Sequence, residues 1–156
     1  MDVGKAWNKA SLFQFKKMSE FAFIVEGNPV AKARARVTKA GTYTPEKTKS
    51  YEKQIALIAK MEASRQGFNI TESAVEMIVI AHFSPPKSWT KKKRSDAISG
   101  LIKKTTKPDL DNIVKSIKDA LNGIVYIDDN QVTDIIARKR YGDEPCIQVR
   151  VKEIER

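Results

Sequence analysis

The chain has 156 residues, 41% of them hydrophobic and 31% charged, with 29 lysines and arginines against 19 aspartates and glutamates, for a formal net charge of +10. That length suits one domain with a core of its own, and the excess of positive charge points to a polyanionic partner. The counts argue against a membrane-spanning helix, since no run of about 18 apolar residues exists, against a signal peptide, since no apolar core lies near the start, and against a disulfide or thiolate metal site, since Cys146 is the only cysteine and fits a reducing cytoplasm.

Residues 1–20 carry no clear period and are set apart as an N-terminal extension, leaving 21–156 as the folded domain. A leader, an upstream extension or an arm that docks on a partner would each fit the first segment. Phe21 to Glu26 alternates as a strand and stops at the turn signal Gly27, Asn28, Pro29. Arg34 to Tyr43 predicts two short strands around Gly41. Lys32, Arg34 and Arg36 then share one face of extended chain, where they either keep an edge soluble or follow phosphates.

Thr44, Pro45 and Glu46 open a helix that runs to about Gln66 and ends at Gly67, with Tyr51, Ile55, Ile58 and Met61 or Glu62 marking its faces. Ala74 to Phe83, rich in valine and isoleucine on both faces, predicts a central strand. His82, the only histidine, lies near its end and is expected to be structural. Ser84, Pro85 and Pro86 break the pattern. Residues 88–99 then predict a short basic helix with Lys91, Lys92, Lys93 and Arg94, and with Trp89 as a core anchor or a base-stacking platform. A basic linker carrying Lys103, Lys104 and Lys107 follows. Between Lys87 and Lys107 there are eight basic residues and one acidic; between Val30 and Ser50, six and one.

The second basic block runs into Asp109 and Asp111. Pro108 disfavours helix at Lys107, so a helix is expected to begin just after it, with Asp109 near the N-cap. Leu110, Ile113, Val114, Ile117 and Leu121 form its apolar stripe and Gly123 its stop. Asp111 and Lys115 then lie one turn apart on a neighbouring face. Ile124 to Ile127 predicts a short strand ending at Asp128, Asp129 and Asn130, which would bring a third carboxylate to the first two. The plainer reading is that Asp109 caps, Asp111 favours the helix dipole, and Asp111 with Lys115 is an ordinary ion pair. Val132 to Tyr141 and Cys146 to Ile154 close the chain as a predicted antiparallel hairpin around Gly142 to Pro145. These elements describe a single α+β domain, a mixed or largely antiparallel sheet packed with two main helices, since repeated βα alternation is missing.

Asp109-Leu110-Asp111-Asn112, then Lys115, then Ile127-Asp128-Asp129-Asn130-Gln131-Val132 resembles the RusA family of phage-type Holliday-junction resolvases. The upstream pattern of Gly27 to Pro29, Lys32, Arg34, Arg36 and Tyr43 to Pro45 is similar to that family too, so the likeness covers most of residues 21–154. The resemblance implies Asp109, Asp111 and Asp129 as catalytic magnesium ligands and Lys115 as a catalytic lysine. It favours Asp129 over Asp128, between which spacing alone does not choose. It also implies a four-way DNA junction as substrate and a homodimer as the active form, with no organic cofactor. Lys32, Arg34, Arg36, Lys91, Lys92, Lys93, Arg94, Lys103, Lys104 and Lys107 are the expected DNA contacts. Hard carboxylate oxygens suit magnesium, and the chain lacks the Cys/His cluster that zinc takes. The competing reading from another class is a noncatalytic basic DNA-binding module.

Overall fold

The computed structural model describes residues 19–154, so the expected N-terminal extension lies almost wholly outside the described residues. In chain order the elements are β1 (Glu20–Glu26), the small hairpin β2 (Arg36–Thr38) and β3 (Gly41–Tyr43), α1 (Glu46–Gln66), β4 (Ala74–Phe83), α2 (Lys91–Ile98), α3 (Leu110–Leu121), a 3-10 turn (Asp129–Gln131), β5 (Val132–Tyr141) and β6 (Cys146–Ile154). The main sheet has the order β1-β6-β4-β5. It is mixed, as expected: β6 runs antiparallel to both β1 and β4, whereas β5 runs parallel to β4.

Period-two alternation builds the core. Phe21, Phe23 and Val25 are buried in β1, Val75 through Phe83 at every second position in β4, and Ile147, Val149 and Val151 in β6. The register lines them up in rows across the sheet, such as Phe21 with Val151 with Met77, and Phe23 with Val149 with Val79. Onto that face packs α1, whose buried Tyr51, Ile55, Ala59 and Ala63 repeat at every fourth residue. Met61, one expected face marker, is instead 63% exposed. Gly67 ends α1 in the left-handed conformation at φ 73°, which a side chain would strain. Phe68 just beyond it packs on Phe21 with ring centroids 4.7 Å apart. Among the described residues no helix is long and apolar enough to cross a membrane.

Two expectations fail. The predicted hairpin of β5 with β6 does not form, because β4 lies between them. As the most apolar strand, β4 buries best with a neighbour on each edge, and the crossover through α2 and α3 delivers β5 parallel to it. The connection from β5 to β6 therefore passes over the end of β4, where the Gly142 N–H donates to the Phe83 carbonyl at 2.9 Å. A Cβ on Gly142 would stand 3.0 Å from His82 Nδ1, so the connection passes close over the His82 side chain and gives it a structural place.

The predicted strand at Ile124–Ile127 is also absent; the segment is a tight turn after α3. Gly123, at φ 77°, starts the reversal and donates its N–H to the Tyr126 carbonyl at 2.8 Å. Val125 and Tyr126 are fully buried, and the Tyr126 hydroxyl donates to the Lys118 carbonyl at 2.7 Å. The apolar run thus marked a plug in the core rather than a sheet position. With only one residue, Asn122, between α3 and Gly123, the chain reverses at once, and its pairing is limited to isolated bridges of Tyr126 with Thr71 and Asn122, with the Thr71 N–H donating to the Val125 carbonyl at 2.9 Å.

Candidate active site

Asp109 is the N-cap of α3, with extended backbone (φ −69°, ψ 135°), yet its side chain makes no capping hydrogen bond. Its carbonyl starts the helix by accepting from Ile113 N–H at 3.2 Å. The helix buries Ile113, Val114, Ile117 and Leu121, the expected stripe apart from a half-buried Leu110, which leaves Asp111 and Lys115 exposed. Among the described residues Asp111 and Lys115 form no ion pair with each other, and Asp109, Asp128 and Asp129 form none either. The capping and pairing duties that would make these side chains merely structural are therefore unfilled at Asp109 and Asp111.

At the other wall, Asp128 and Asp129 take different parts. Asp128 is the N-cap of the 3-10 turn: its carboxylate accepts from the Asn130 N–H at 3.4 Å and from Asn130 Nδ2 at 3.0 Å. Gln131 completes the box, its Oε1 accepting from the N–H groups of Ile127 and Asp128 at 2.9 and 3.0 Å. The Gln131 amide then donates to the Thr71 and Ser73 carbonyls at 2.8 and 3.0 Å, which fixes the turn to the loop before β4. Asp129 is left to face a cavity of about 680 Å³ between α3 and β5, which it lines together with Asp111, Lys115, Lys118 and Asp119, over a floor of Ile135 and Ala137.

The electrostatics there are those of crowded acids. A hydrogen bond shared with the Asp128 side chain raises the Asp129 carboxyl above its usual range; desolvation adds to this and the Lys118 charge opposes it. An acid whose charged form is disfavoured by its neighbours marks a place where a cation would be welcome. Asp109 does not line the cavity, and among the described residues no three histidine, cysteine, aspartate or glutamate side chains come close enough together to hold a metal. Asp111, Asp129 and Lys115 are thus brought together, with Asp109 at the rim of the same turn.

The basic residues divide. Arg34, Arg36 and Lys107, with Lys47, line a groove of about 760 Å³ that reaches Pro108. Lys103 lies in a cavity of about 590 Å³ with Arg138 and Arg140 of the edge strand. Lys91, Lys92 and Lys93 are exposed on α2, with Lys93 Nζ 4.1 Å from the Trp89 ring centroid, and Arg94 is half-buried. Trp89 packs its edge on Tyr141, as a core anchor does. Two expected DNA contacts turn inward. Lys32 pairs with Glu52 and with Asp119, the latter at 3.1 Å, and its N–H donates to the Asn112 carbonyl at 2.8 Å. Burial alone would lower its pKa, but the two carboxylates outweigh that and raise it. Lys104 donates to Thr106 Oγ1 and, at 2.8 Å, to the Lys107 carbonyl.

Sequence reasoning missed Asp119, Gln131, Arg138 and Arg140. Asp119 stands two turns after Asp111 on the same helix face, and Asp128-x-x-Gln131 has capping-box spacing, so both signals were available. A family model described as Endodeoxyribonuclease RusA matches residues 26–152. The chain belongs to the RusA endodeoxyribonuclease family. Within it, the chain is similar to YqaN of Bacillus subtilis (strain 168), itself described as uncharacterized: 39% of 138 residues are identical, covering 85% of this chain and 95% of that one. The match to the RusA model contains Asp109 to Lys115, Asp128 to Gln131 and both basic segments.

Proposed function

We propose that this RusA-family chain is a magnesium-dependent endonuclease that resolves four-way DNA junctions as a homodimer, in DNA recombination and repair. The observation that carries the reading is Asp111, Asp129 and Lys115 around one cavity, free of ion pairs among the described residues and flanked by grooves rich in arginine and lysine. The donor set fits magnesium, because it offers only oxygen, and because that ion keeps several waters and is commonly held by one or two carboxylates plus a substrate phosphate. A closed cage of three carboxylates is therefore not required.

In this reading Asp111 and Asp129 hold the ion, and Asp109 completes the set from the rim. Magnesium, when bound, supplies positive charge at the scissile phosphate and a water of lowered pKa. Lys115, one turn from Asp111, neutralises charge that develops on the phosphoryl oxygens. Asp128 keeps Asp129 in place through its cap and does not ligate. Arg34, Arg36, Lys47 and Lys107 hold backbone phosphates on the Pro108 side of the site. The homodimer reading is supported by the sheet face that carries no helix among the described residues, which exposes Ile24 (54%) and Ile136 (45%) beside half-buried Ile78 and Ile80.

The lack of a preformed three-carboxylate cluster among the described residues favours a second reading, a noncatalytic DNA-binding module. One assay separates them. Asp111→Asn keeps the shape and removes a charged ligand, so it is expected to lower magnesium-dependent junction cutting by about 10²-fold or more while junction binding without metal stays as tight or tightens. Wild-type protein that leaves junctions and simpler DNAs uncut in magnesium would leave the binding module standing. Cutting that survives in Asp111→Asn would overturn the assignment of the site.

A further inference from the structure

The side chains of β5 that face the helices are Ile135, Ala137, Lys139 and Tyr141, each opposite a buried residue of β4: Met77, Val79, Ala81 and Phe83. Three of the four continue the apolar rows. The row of Val25, Ile147 and Ala81 ends instead on Lys139. A half-buried lysine on the core side of a sheet needs hydrogen-bond partners for its ammonium. Lys139 finds them in the loop before α3, where its Nζ donates to the Thr106 carbonyl at 2.8 Å and to the Pro108 carbonyl at 2.9 Å. Lys104 takes the carbonyl between them, that of Lys107, at 2.8 Å. Three consecutive carbonyls therefore each accept from an ammonium group, and the two cations are close enough that Lys139, after burial, helps hold the Lys104 pKa down. Two like charges turned inward are a costly way to secure a surface loop.

The residue that follows the third carbonyl is Asp109. Its carboxylate has no cap bond and, among the described residues, no ion pair, so nothing on its own side chain sets its direction. That direction is inherited from the backbone. We propose that Lys139, assisted by Lys104, is the positioning residue for Asp109: its ammonium fixes the Thr106–Pro108 carbonyls and so aims the Asp109 carboxylate at the ion held by Asp111 and Asp129. Lys139 stands ten residues after Asp129 through the rigid strand β5. The clamp thereby ties the rim carboxylate to the wall carboxylate through one element, although among the described residues no three acids cluster on their own. The proposal rests on the nuclease reading for its metal, and not for its geometry.

The test uses the full chain with Lys139→Met, Lys139→Arg and Lys104→Met. Manganese stands in for magnesium and is followed by its electron paramagnetic resonance, beside amide hydrogen exchange over residues 106–112, thermal melting, and junction binding in chelator. For Lys139→Met the expected result is manganese affinity lower by about tenfold and faster exchange at Asp109 to Asn112. Cutting should fall in kcat with KM for the junction unchanged, and metal-free junction binding should stay within about twofold of wild type. Lys139→Arg keeps a donor and should recover most of the metal affinity; Lys104→Met, which frees one carbonyl, should lose less in the same direction. Wild-type manganese affinity and exchange in Lys139→Met would overturn the proposal, as would a lower melting temperature with metal affinity intact. So would weaker metal-free junction binding with a shallower salt dependence, since that would make Lys139 a phosphate contact. If wild-type protein binds no manganese and cuts no DNA, it is the nuclease reading that fails, and the clamp stands or falls on amide exchange in Lys139→Met.

Discussion

Lys32 and Arg34 look alike in the sequence, two basic residues two positions apart on an extended segment, and the structure gives them opposite surroundings. Lys32 is drawn between Glu52 and Asp119, where its side chain keeps 21% exposure; Arg34 is exposed beside the groove it shares with Arg36 and Lys47. Alternation along the segment was legible. What it faced was not, because the two carboxylates come from α1 and α3, elements that meet it only in three dimensions. Lys32→Met keeps the stem and strands two partly buried acids, so it should cost about 1–3 kcal/mol of stability. Its effect on the salt dependence of DNA binding should be nil. The paired replacement of Arg34 and Arg36 by alanine should do the reverse: stability within about 0.5 kcal/mol, and a binding slope against salt shallower by about two. Denaturant melts and salt titrations on the three proteins would decide it, and equal slopes would remove the phosphate role of the arginines.

Individual elements were legible where local physics decides them and illegible where packing does. The start of α3 followed from Pro108 and the apolar stripe, and the structure begins that helix at Leu110. The turn segment Ile124–Ile127 was read as a strand because a run of four apolar residues does not say whether it pairs or plugs. The short 3-10 turn carries more of the site than its length suggests. Gln131 alone holds two N–H groups and two carbonyls, and through them it fixes the backbone on which Asp129 stands. Gln131→Ala should cost about 1–2 kcal/mol. It should also raise the magnesium concentration at which junction cutting reaches half its maximum, an effect that Asn130→Ala, which removes only the amide on Asp128, should produce more weakly. A loss of stability with the magnesium dependence unmoved would confine Gln131 to holding the turn.

For the whole molecule, composition and strand pattern were enough to give an α+β domain with a mixed sheet, but not its strand order. Neighbours in sequence suggested that β5 pairs with β6; the competition of both for the apolar edges of β4 settled otherwise, and no short segment carries that information. The sheet face opposite α1 bears no helix among the described residues. Along β4 and β5 the cross-strand rows there run Glu76 with Asp134, Ile78 with Ile136, Ile80 with Arg138, and His82 with Arg140. Along these two strands the face is acidic at one end, apolar in the middle and basic at the other. A twofold axis lying between two such faces, at right angles to the strands, sets the isoleucine belt on itself and each acidic end on a basic one. If the chain dimerises in this way, Ile136→Glu should shift it to a monomer in sedimentation at micromolar concentration without unfolding it, since that side chain is 45% exposed already. Charge reversal gives a stricter check. A variant with Arg138→Glu and Arg140→Glu has two acidic ends, and one with Glu76→Lys and Asp134→Lys has two basic ends. Each should be monomeric alone, and an equimolar mixture should form a heterodimer, because both contacts then join opposite charges. Dimers that persist in either variant alone would place the interface on another surface.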